Sequence, residues 1–226
     1  MQTPPLVTPA QKSVFRSRKY VLSVALGAAL LLLSLVINSY AVLYATQKAS
    51  NPVSDIILDN IPVFNVDGIF VYGPILMWLF VTLVCVRRPQ RIPLVLKSVA
   101  FFVIIRSVFI SLTHIGPYQT RMVMDSPAFL YKEFTAGGDL FFSAHTGLPF
   151  LMAMVFYSSK FYRWFFIIMS VFFGCIVLMG HVHYSIDVLS SFFITYTIYT
   201  IVIKLFPYDY KLFEKGSYLD SEDIKI

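Results

Sequence analysis

Two segments of the sequence place histidine and aspartate side chains at the edges of long apolar runs. The first, GGDLFFSAHT, covers 137–146, and the second, HVHYSIDV, covers 181–188. Ionisable groups are expensive to bury in a membrane, so at such positions they are candidate functional groups. Imidazole and carboxylate side chains together can transfer protons and attack phosphorus.

His183 and Asp187 are four residues apart, a spacing that puts both side chains on one face of a helix. A carboxylate in that position can hold one imidazole nitrogen as N–H and keep the other available for attack. This pairing predicts His183 as the nucleophile. His145 has no such partner in its own segment, which suits an acid that protonates a leaving oxygen and then serves as base for the acceptor.

The elements that must position these groups are apolar helices. The 226 residues are 58% hydrophobic and 13% charged, whereas an ordinary soluble domain is roughly half apolar and about a quarter charged. Runs of about 20 apolar residues predict membrane-spanning helices. We predict an all-α membrane protein with six such spans, at about 20–44, 69–86, 93–113, 142–157, 161–180 and 184–206.

The basic residues indicate how these spans are oriented. On one side of the predicted topology lie Lys12, Arg16, Arg18, Lys19, Arg87, Arg88, Arg91, Lys160, Arg163, Lys211, Lys215 and Lys225. The opposite loops hold Lys48, Arg121 and Lys132. By the positive-inside rule, both termini are expected in the cytoplasm. Because the charges lie in short loops, the net charge of +6 does not indicate nucleic-acid binding.

This topology divides the chain into three parts. We expect a cytoplasmic N-terminal segment at 1–19, a membrane catalytic domain at 20–206 and a cytoplasmic tail at 207–226 that is mobile and solvated. His145 and His183 then both begin spans on the non-cytoplasmic face. Two helix N-termini meeting there offer N–H groups and positive dipole ends to a phosphate. Ser143 is predicted to cap the first of these helices, and Arg106, inside the third span, adds positive charge.

Other interpretations of the charged residues stay open. Arg106 can instead pair with a carboxylate in the membrane, and Asp139 can serve as a loop charge or a helix cap. Two histidines and an aspartate can also form part of a zinc site. Simpler roles, at the surface, in solvated loops or in packing, are expected for His114, His181, Asp55, Asp59 and Asp67.

The two segments resemble motifs of the sphingomyelin synthase family, a branch of the type-2 phosphatidic acid phosphatase superfamily. GGDLFFSAHT is similar to the family motif CGD-x-x-x-SGHT, and HVHYSIDV is similar to HY[ST]-x-DV. RSVFISLT, at 106–113, resembles a weaker arginine-containing motif in the third span. The Pro and Asp residues of the first outer loop faintly resemble a Pro–Asp motif there, and the six-span layout agrees over most of 20–206.

The sequence departs from the family pattern at several positions. Gly137 stands where the family usually has Cys, and Ala144 where it has Gly, so that an extra methyl group could crowd the phosphate. Only about 19 residues precede the first span, so the soluble N-terminal domain of some members is not expected. Val177 lies where the wider superfamily places an arginine ahead of His183, which favours the synthase branch over phosphatases that clamp a dianion.

The resemblance implies a catalytic triad of His145, His183 and Asp187, a phosphohistidine intermediate, and no required metal or other cofactor. The residues expected to contact the substrate are Asp139, Arg106, Ser143 and Tyr184. The implied activity moves phosphocholine or phosphoethanolamine from a glycerophospholipid to a ceramide-like acceptor. With water as the acceptor, the same site is a phospholipase C.

Two other function classes stay open. One is a lipid phosphate phosphatase that releases inorganic phosphate, and the other is a transporter or a catalytically silent relative, which Ala144 favours. The expected partners are the lipid substrates and the membrane, and assembly into a homo-oligomer stays open. The compact chain suits a bacterial inner membrane, with a Golgi or plasma membrane as alternatives.

Overall fold

The computed structural model describes residues 17–122 and 138–223, with side chains up to 215. Within these residues every regular element is helical, as the predicted all-α class requires. The helices are α1 (Arg18–Lys48), α2 (Asp67–Arg87), α3 (Ile92–Leu112), α4 (Ala144–Val155), α5 (Lys160–Met179), α6 (Ser185–Leu205) and α7 (Pro207–Asp223). Short 3-10 turns occur at Leu58–Asn60 and Pro89–Arg91. The predictions made for Lys12, Arg16, Lys132, Gly137 and Lys225 concern residues outside those described.

Among the described residues, five helical segments are long and apolar enough to cross a membrane: α1, α2, α5, α6 and Pro89–Leu112, which contains α3. The prediction of six spans is therefore wrong in its count. The fourth predicted span is α4, an apolar helix of 12 residues, about 18 Å long against a hydrocarbon core of about 30 Å. It begins late because Phe141 and Phe142 have φ values of 71° and 100°, which no α-helix allows.

The short helix α4 is surrounded by α3, α5 and α6, whereas α1 packs along α3. Leu151, Met152 and Ala153 of α4 have no exposed area. Gly147 permits the close approach to α3, because a Cβ at this position would lie 2.7 Å from ring carbons of Phe102. Irregular backbone next to such a helix is tolerated at membrane depth only where protein, and not lipid, surrounds it.

The tail, which was predicted to be mobile, is instead helical from Pro207 to Asp223, and a buried ion pair fixes it to the bundle. Asp209 is 2% exposed and pairs with Lys97 of α3. The hydroxyl of Ser23 in α1 donates to Asp209 at 2.6 Å and accepts from Lys97 at 2.6 Å. Lys97 lies inside an apolar segment, where a charged group needs such a partner.

Replacing Asp209 by alanine should leave the Lys97 ammonium buried without its counter-charge. Removal of one partner of a buried pair costs about 3–5 kcal/mol, so we expect a clearly lower melting temperature by circular dichroism in detergent. Lys211→Ala, on the exposed side of the same helix, is the control and should melt like the wild type. The double variant Lys97→Met/Asp209→Leu should regain most of the loss. Equal melting temperatures for Asp209→Ala and Lys211→Ala would contradict the role of the pair.

Candidate active site

A cavity of about 440 Å³ lies between α1, α2, α3 and α4. Its wall contains His145 from the first turn of α4 and His183 from the turn before α6. Arg106 of α3 and Asp139 of the loop before α4 also line it. The two histidine segments, which are far apart in sequence, therefore meet at one cavity.

His183 is held by Asp187 as the spacing predicted. The Nδ1 atom of His183 lies 3.0 Å from Oδ2 of Asp187, and the same oxygen accepts the backbone N–H of Tyr184 at 3.1 Å. Asp187 has no exposed area and His183 is 5% exposed. A carboxylate accepts hydrogen bonds, so Nδ1 is the protonated nitrogen. The other nitrogen, Nε2, has no hydrogen-bond partner among the described residues.

The turn that carries His183 is built at the end of α5. His181 takes a left-handed conformation with φ of 50°. The N–H of Val182 donates to the carbonyl of Val177 at 2.9 Å, which is the long hydrogen bond of a Schellman motif. The side chain of His181 hydrogen-bonds Thr120 at 2.6 Å, so it has a packing role, as expected.

His145 is oriented by a backbone carbonyl and not by a carboxylate. Its Nε2 lies 3.1 Å from the carbonyl oxygen of Phe70 in α2, and its ring stacks on the Phe70 ring with centroids 4.0 Å apart. A carbonyl only accepts, so Nε2 carries the proton and Nδ1 holds the lone pair of the neutral ring. Nδ1 has no hydrogen-bond partner in the described part of the chain. The sequence indicated no partner for His145 because this one lies in another helix.

Arg106 lines the cavity and pairs with a carboxylate, which is one of the two roles considered for it. Its Nη2 donates to Oδ2 of Asp139 at 2.6 Å and to the Asp139 carbonyl at 3.1 Å. Its Nε donates to the carbonyl of Phe142 at 3.1 Å. Phe141 and Phe142, with their positive φ values, carry backbone strain of about 1–3 kcal/mol each. Arg106 therefore holds the strained loop that leads into α4.

The charge of Arg106 also sets the ionisation of Asp139. Burial by itself raises the pKa of Asp139, but the guanidinium of Arg106, with smaller effects from His183 and Arg121, holds that pKa below its ordinary value. The carboxyl group is therefore kept ionised. Its position in the cavity wall is consistent with the predicted supporting role.

Two residues expected to contact the substrate lie away from the cavity wall. Ser143 stands at the N-cap position of α4, but its hydroxyl makes no capping hydrogen bond, so the predicted side-chain cap is wrong. Its backbone N–H instead donates to the carbonyl of Asp187 at 3.2 Å. Tyr184 is 1% exposed, and its hydroxyl donates to the carbonyl of Gly116 at 2.8 Å. Both residues hold the loops together around the site.

Asp55 has a structural role that the sequence interpretation missed. It was expected to be a solvated loop acid, but it is 7% exposed and accepts the backbone N–H of Ser185, the first residue of α6, at 2.7 Å. Burial raises the pKa of Asp55, yet the N–H donors of Ser185, Leu58 and Ile57 hold it below its ordinary value. A carboxylate at a helix N-terminus is stabilised in this way. The resemblance to a Pro–Asp motif was the signal that pointed to this loop.

Arg121 is a second cation in the cavity wall that was counted only as an outer-loop charge. The segment is anchored by backbone hydrogen bonds from Arg121 to Tyr118 and from Met122 to Gly180, both of 3.0 Å. Among the described residues, the Arg121 side chain has no carboxylate partner. Arg106, in contrast, forms an ion pair with Asp139.

The zinc alternative requires several ligands at one point. In residues 17–122 and 138–223, no group of three or more His, Cys, Asp and Glu side chains is placed to hold a metal ion. The described part of the site therefore gives the zinc hypothesis no support.

A comparison with known families gives a match to the part of the chain that contains both histidine segments. Residues 137–204 match the family model described as PAP2 superfamily C-terminal. The match covers less than a third of the chain and includes both histidine segments. It supports a place in the PAP2-like superfamily and chemistry of the phosphatase or phosphotransferase type on lipid phosphates, without singling out the sphingomyelin synthases. No curated protein and no solved structure matches the chain. Fold and match together support a helical membrane protein with chemistry of the phosphoryl-transfer type.

The pair of Arg106 and Asp139 should make stability depend on pH. The pKa of Asp139 is lower in the folded protein than the ordinary value of about 3.9. The pair therefore stabilises the fold fully above that value, and this contribution is lost as the pH falls through the folded-state pKa. We expect Asp139→Asn to melt below the wild type at neutral pH, in detergent. The difference between the two melting temperatures should become smaller as the solution is acidified below about pH 4. A difference that did not change with pH would contradict the pairing of Arg106 with Asp139.

Proposed function

We propose that the chain is a membrane phosphotransferase that moves a phosphocholine or phosphoethanolamine head group from a glycerophospholipid to a ceramide-like acceptor or to water. The observation that carries this proposal is the cavity wall. It combines His183, paired with the buried carboxylate of Asp187, with His145 and two guanidinium groups. A nucleophile, an acid–base group and a phosphate-binding cation are the three functions that such a transfer needs.

A second, apolar cavity supports a lipid substrate. It has a volume of about 490 Å³ and shares Leu35, Trp78, Val103 and Leu148 with the wall of the first cavity. Apart from Thr82 and Cys85, the remaining lining side chains are aliphatic. An acyl chain in this apolar cavity would leave the phosphodiester group beside the two histidines. A soluble phosphate ester has no acyl chain that would fill such an apolar cavity.

The proposed reaction has two steps. The Nε2 atom of His183 attacks phosphorus, the bond from phosphorus to the diacylglycerol oxygen breaks, and protonated His145 gives its Nδ1 proton to that oxygen. The head-group phosphate is then bound to His183. Neutral His145 next takes the proton of the acceptor hydroxyl, whose oxygen attacks phosphorus and releases His183. Asp187 stabilises the positive charge that His183 acquires when it is phosphorylated.

A lipid phosphate phosphatase is the second candidate function. The family match favours it as much as a transferase, because the match concerns the PAP2 superfamily as a whole. Such an enzyme would use the same His183 nucleophile with water as the acceptor. Release of inorganic phosphate from phosphatidic acid would distinguish it from the proposed transferase.

The first test is lipid turnover by the purified protein in mixed micelles. Fluorescent ceramide is incubated with phosphatidylcholine or phosphatidylethanolamine, with and without EDTA, and the products are separated by thin-layer chromatography. We expect a new phospholipid product that is insensitive to EDTA and absent for His183→Ala. His145→Ala should lose about 10²–10⁴-fold in rate. His114→Ala is the control, because His114 packs edge-on against Tyr44 away from the cavity.

The possible results separate the candidates. Diacylglycerol without the new product would indicate a phospholipase C, and free phosphate from phosphatidic acid would indicate the phosphatase. The absence of turnover with every lipid would contradict an enzymatic function and favour the transporter or silent relative. With a nitrophenyl ester of phosphocholine, whose leaving group needs no acid, His145→Ala should still release a burst equal to the enzyme present. Mass spectrometry should then find the head group on His183.

Arg121→Gln should weaken substrate binding more than catalysis. We assign this guanidinium to the substrate phosphate because Arg106 is already paired with Asp139. A hydrogen bond to a charged group contributes about 1.5–3 kcal/mol, so KM should rise about tenfold or more while kcat changes less. The control is Lys48→Gln, an exposed cation at the C-terminal end of α1. Equal kinetic constants for Arg121→Gln and Lys48→Gln would remove Arg121 from the site.

A further inference from the structure

The orientation of His145 depends on a feature of α2 that lies outside both histidine segments. The Phe70 carbonyl that accepts the His145 Nε2–H belongs to the first turn of α2. In a regular helix, this carbonyl would accept the backbone N–H of the residue four positions later. That residue is Pro74, which stands inside α2 and has no N–H to donate.

We propose that Pro74 is a positioning residue, which directs the Phe70 carbonyl to His145 by withholding a competing backbone N–H. The hydrogen bond then fixes His145 as the Nε2–H tautomer. Nδ1 becomes the nitrogen that carries the proton to and from the substrate oxygens. This inference rests on the acid–base role given to His145 above and adds a residue to the machinery of that reaction.

Three observations support this assignment. Pro74 lines the same cavity as His145 and also borders a smaller cavity of about 70 Å³ beside it. Phe70 is 1% exposed, so its contact with His145 is shielded from competing donors outside the protein. The His145 ring lies between the stacked ring of Phe70 and the edge of Phe173, whose centroid is 6.3 Å away. These two contacts fix the orientation of the His145 ring, and the hydrogen bond to the Phe70 carbonyl determines which ring nitrogen is protonated.

A proline is tolerated inside a membrane helix where a neighbouring group satisfies the backbone carbonyl that it leaves without a donor, and here His145 hydrogen-bonds that carbonyl. A purely geometric role, in which the ring of Pro74 only bends the helix or shapes the cavity, is the competing explanation. The two explanations differ in what they require of position 74. Our proposal requires only the absence of an N–H, whereas the geometric role requires the pyrrolidine ring.

The test compares two replacements of Pro74 in the full chain. Pro74→Ala introduces an N–H, and lactic acid at the same position, introduced by nonsense suppression, has the alanine side chain but an ester oxygen in place of the N–H. We expect alanine to lower kcat about tenfold with KM unchanged, a smaller loss than the ~10²–10⁴-fold of a missing acid–base group. The lactic acid variant should keep the wild-type kcat. Leu76→Ala, which is 64% exposed on α2, is the control.

Nitrogen NMR of ¹⁵N-histidine-labelled protein gives a readout that does not depend on turnover. The chain has four histidines, and the signals lost in His145→Gln assign those of His145. We expect the Nε2–H tautomer in the wild type and in the lactic acid variant, and a mixture with the Nδ1–H tautomer in Pro74→Ala. Equal tautomers and equal kcat for the alanine and lactic acid variants would overturn the proposal. If the protein turns over no lipid, the tautomer populations of His145 in these variants still test the role proposed for Pro74.

Discussion

The site depends first on one buried guanidinium. Arg106 lies inside an apolar helix, where an unpaired charge would be costly. Its donors are taken up by the carboxylate of Asp139 and by backbone carbonyls of the loop before α4. That loop contains Phe141 and Phe142 at positive φ, a conformation that persists only where the surroundings over-determine it. The direction in which α4 leaves the loop, and with it the position of His145, therefore follows from the contacts of Arg106.

Local features of the sequence allowed most of the fold to be predicted. The ends of five apolar helices agree with the predicted spans to within about one helical turn, because the length of an apolar run is a local property. The pair of His183 and Asp187 follows from helix periodicity in the same way. The start of α4 could not be predicted, since Phe141 and Phe142 look like part of an apolar span and only their backbone conformation ends it.

Contacts between distant segments account for what the sequence did not predict. The carbonyl that orients His145 lies 75 residues away, and backbone carbonyls are the same at every position, so residue types do not indicate them. Pro74 gives a signal in the sequence, because a proline has no N–H and therefore leaves the carbonyl of Phe70, four residues earlier, without its helical hydrogen-bond donor. Asp55 stabilises the start of α6 from 130 residues away. Its loop looks polar and exposed, and only the fold brings it to the helix N-terminus.

The formal charges around the cavity favour a phosphodiester over a phosphomonoester. Among the described residues at the cavity, Arg106 and Arg121 are balanced by Asp139 and Asp187 when both histidines are neutral. A phosphodiester adds a single negative charge to this balanced set. A phosphomonoester carries about 1.5–2 negative charges near neutral pH, and the buried, apolar Val177 adds no cation to match them. These charges support the proposed head-group transfer, whereas the family match alone is compatible with both reactions.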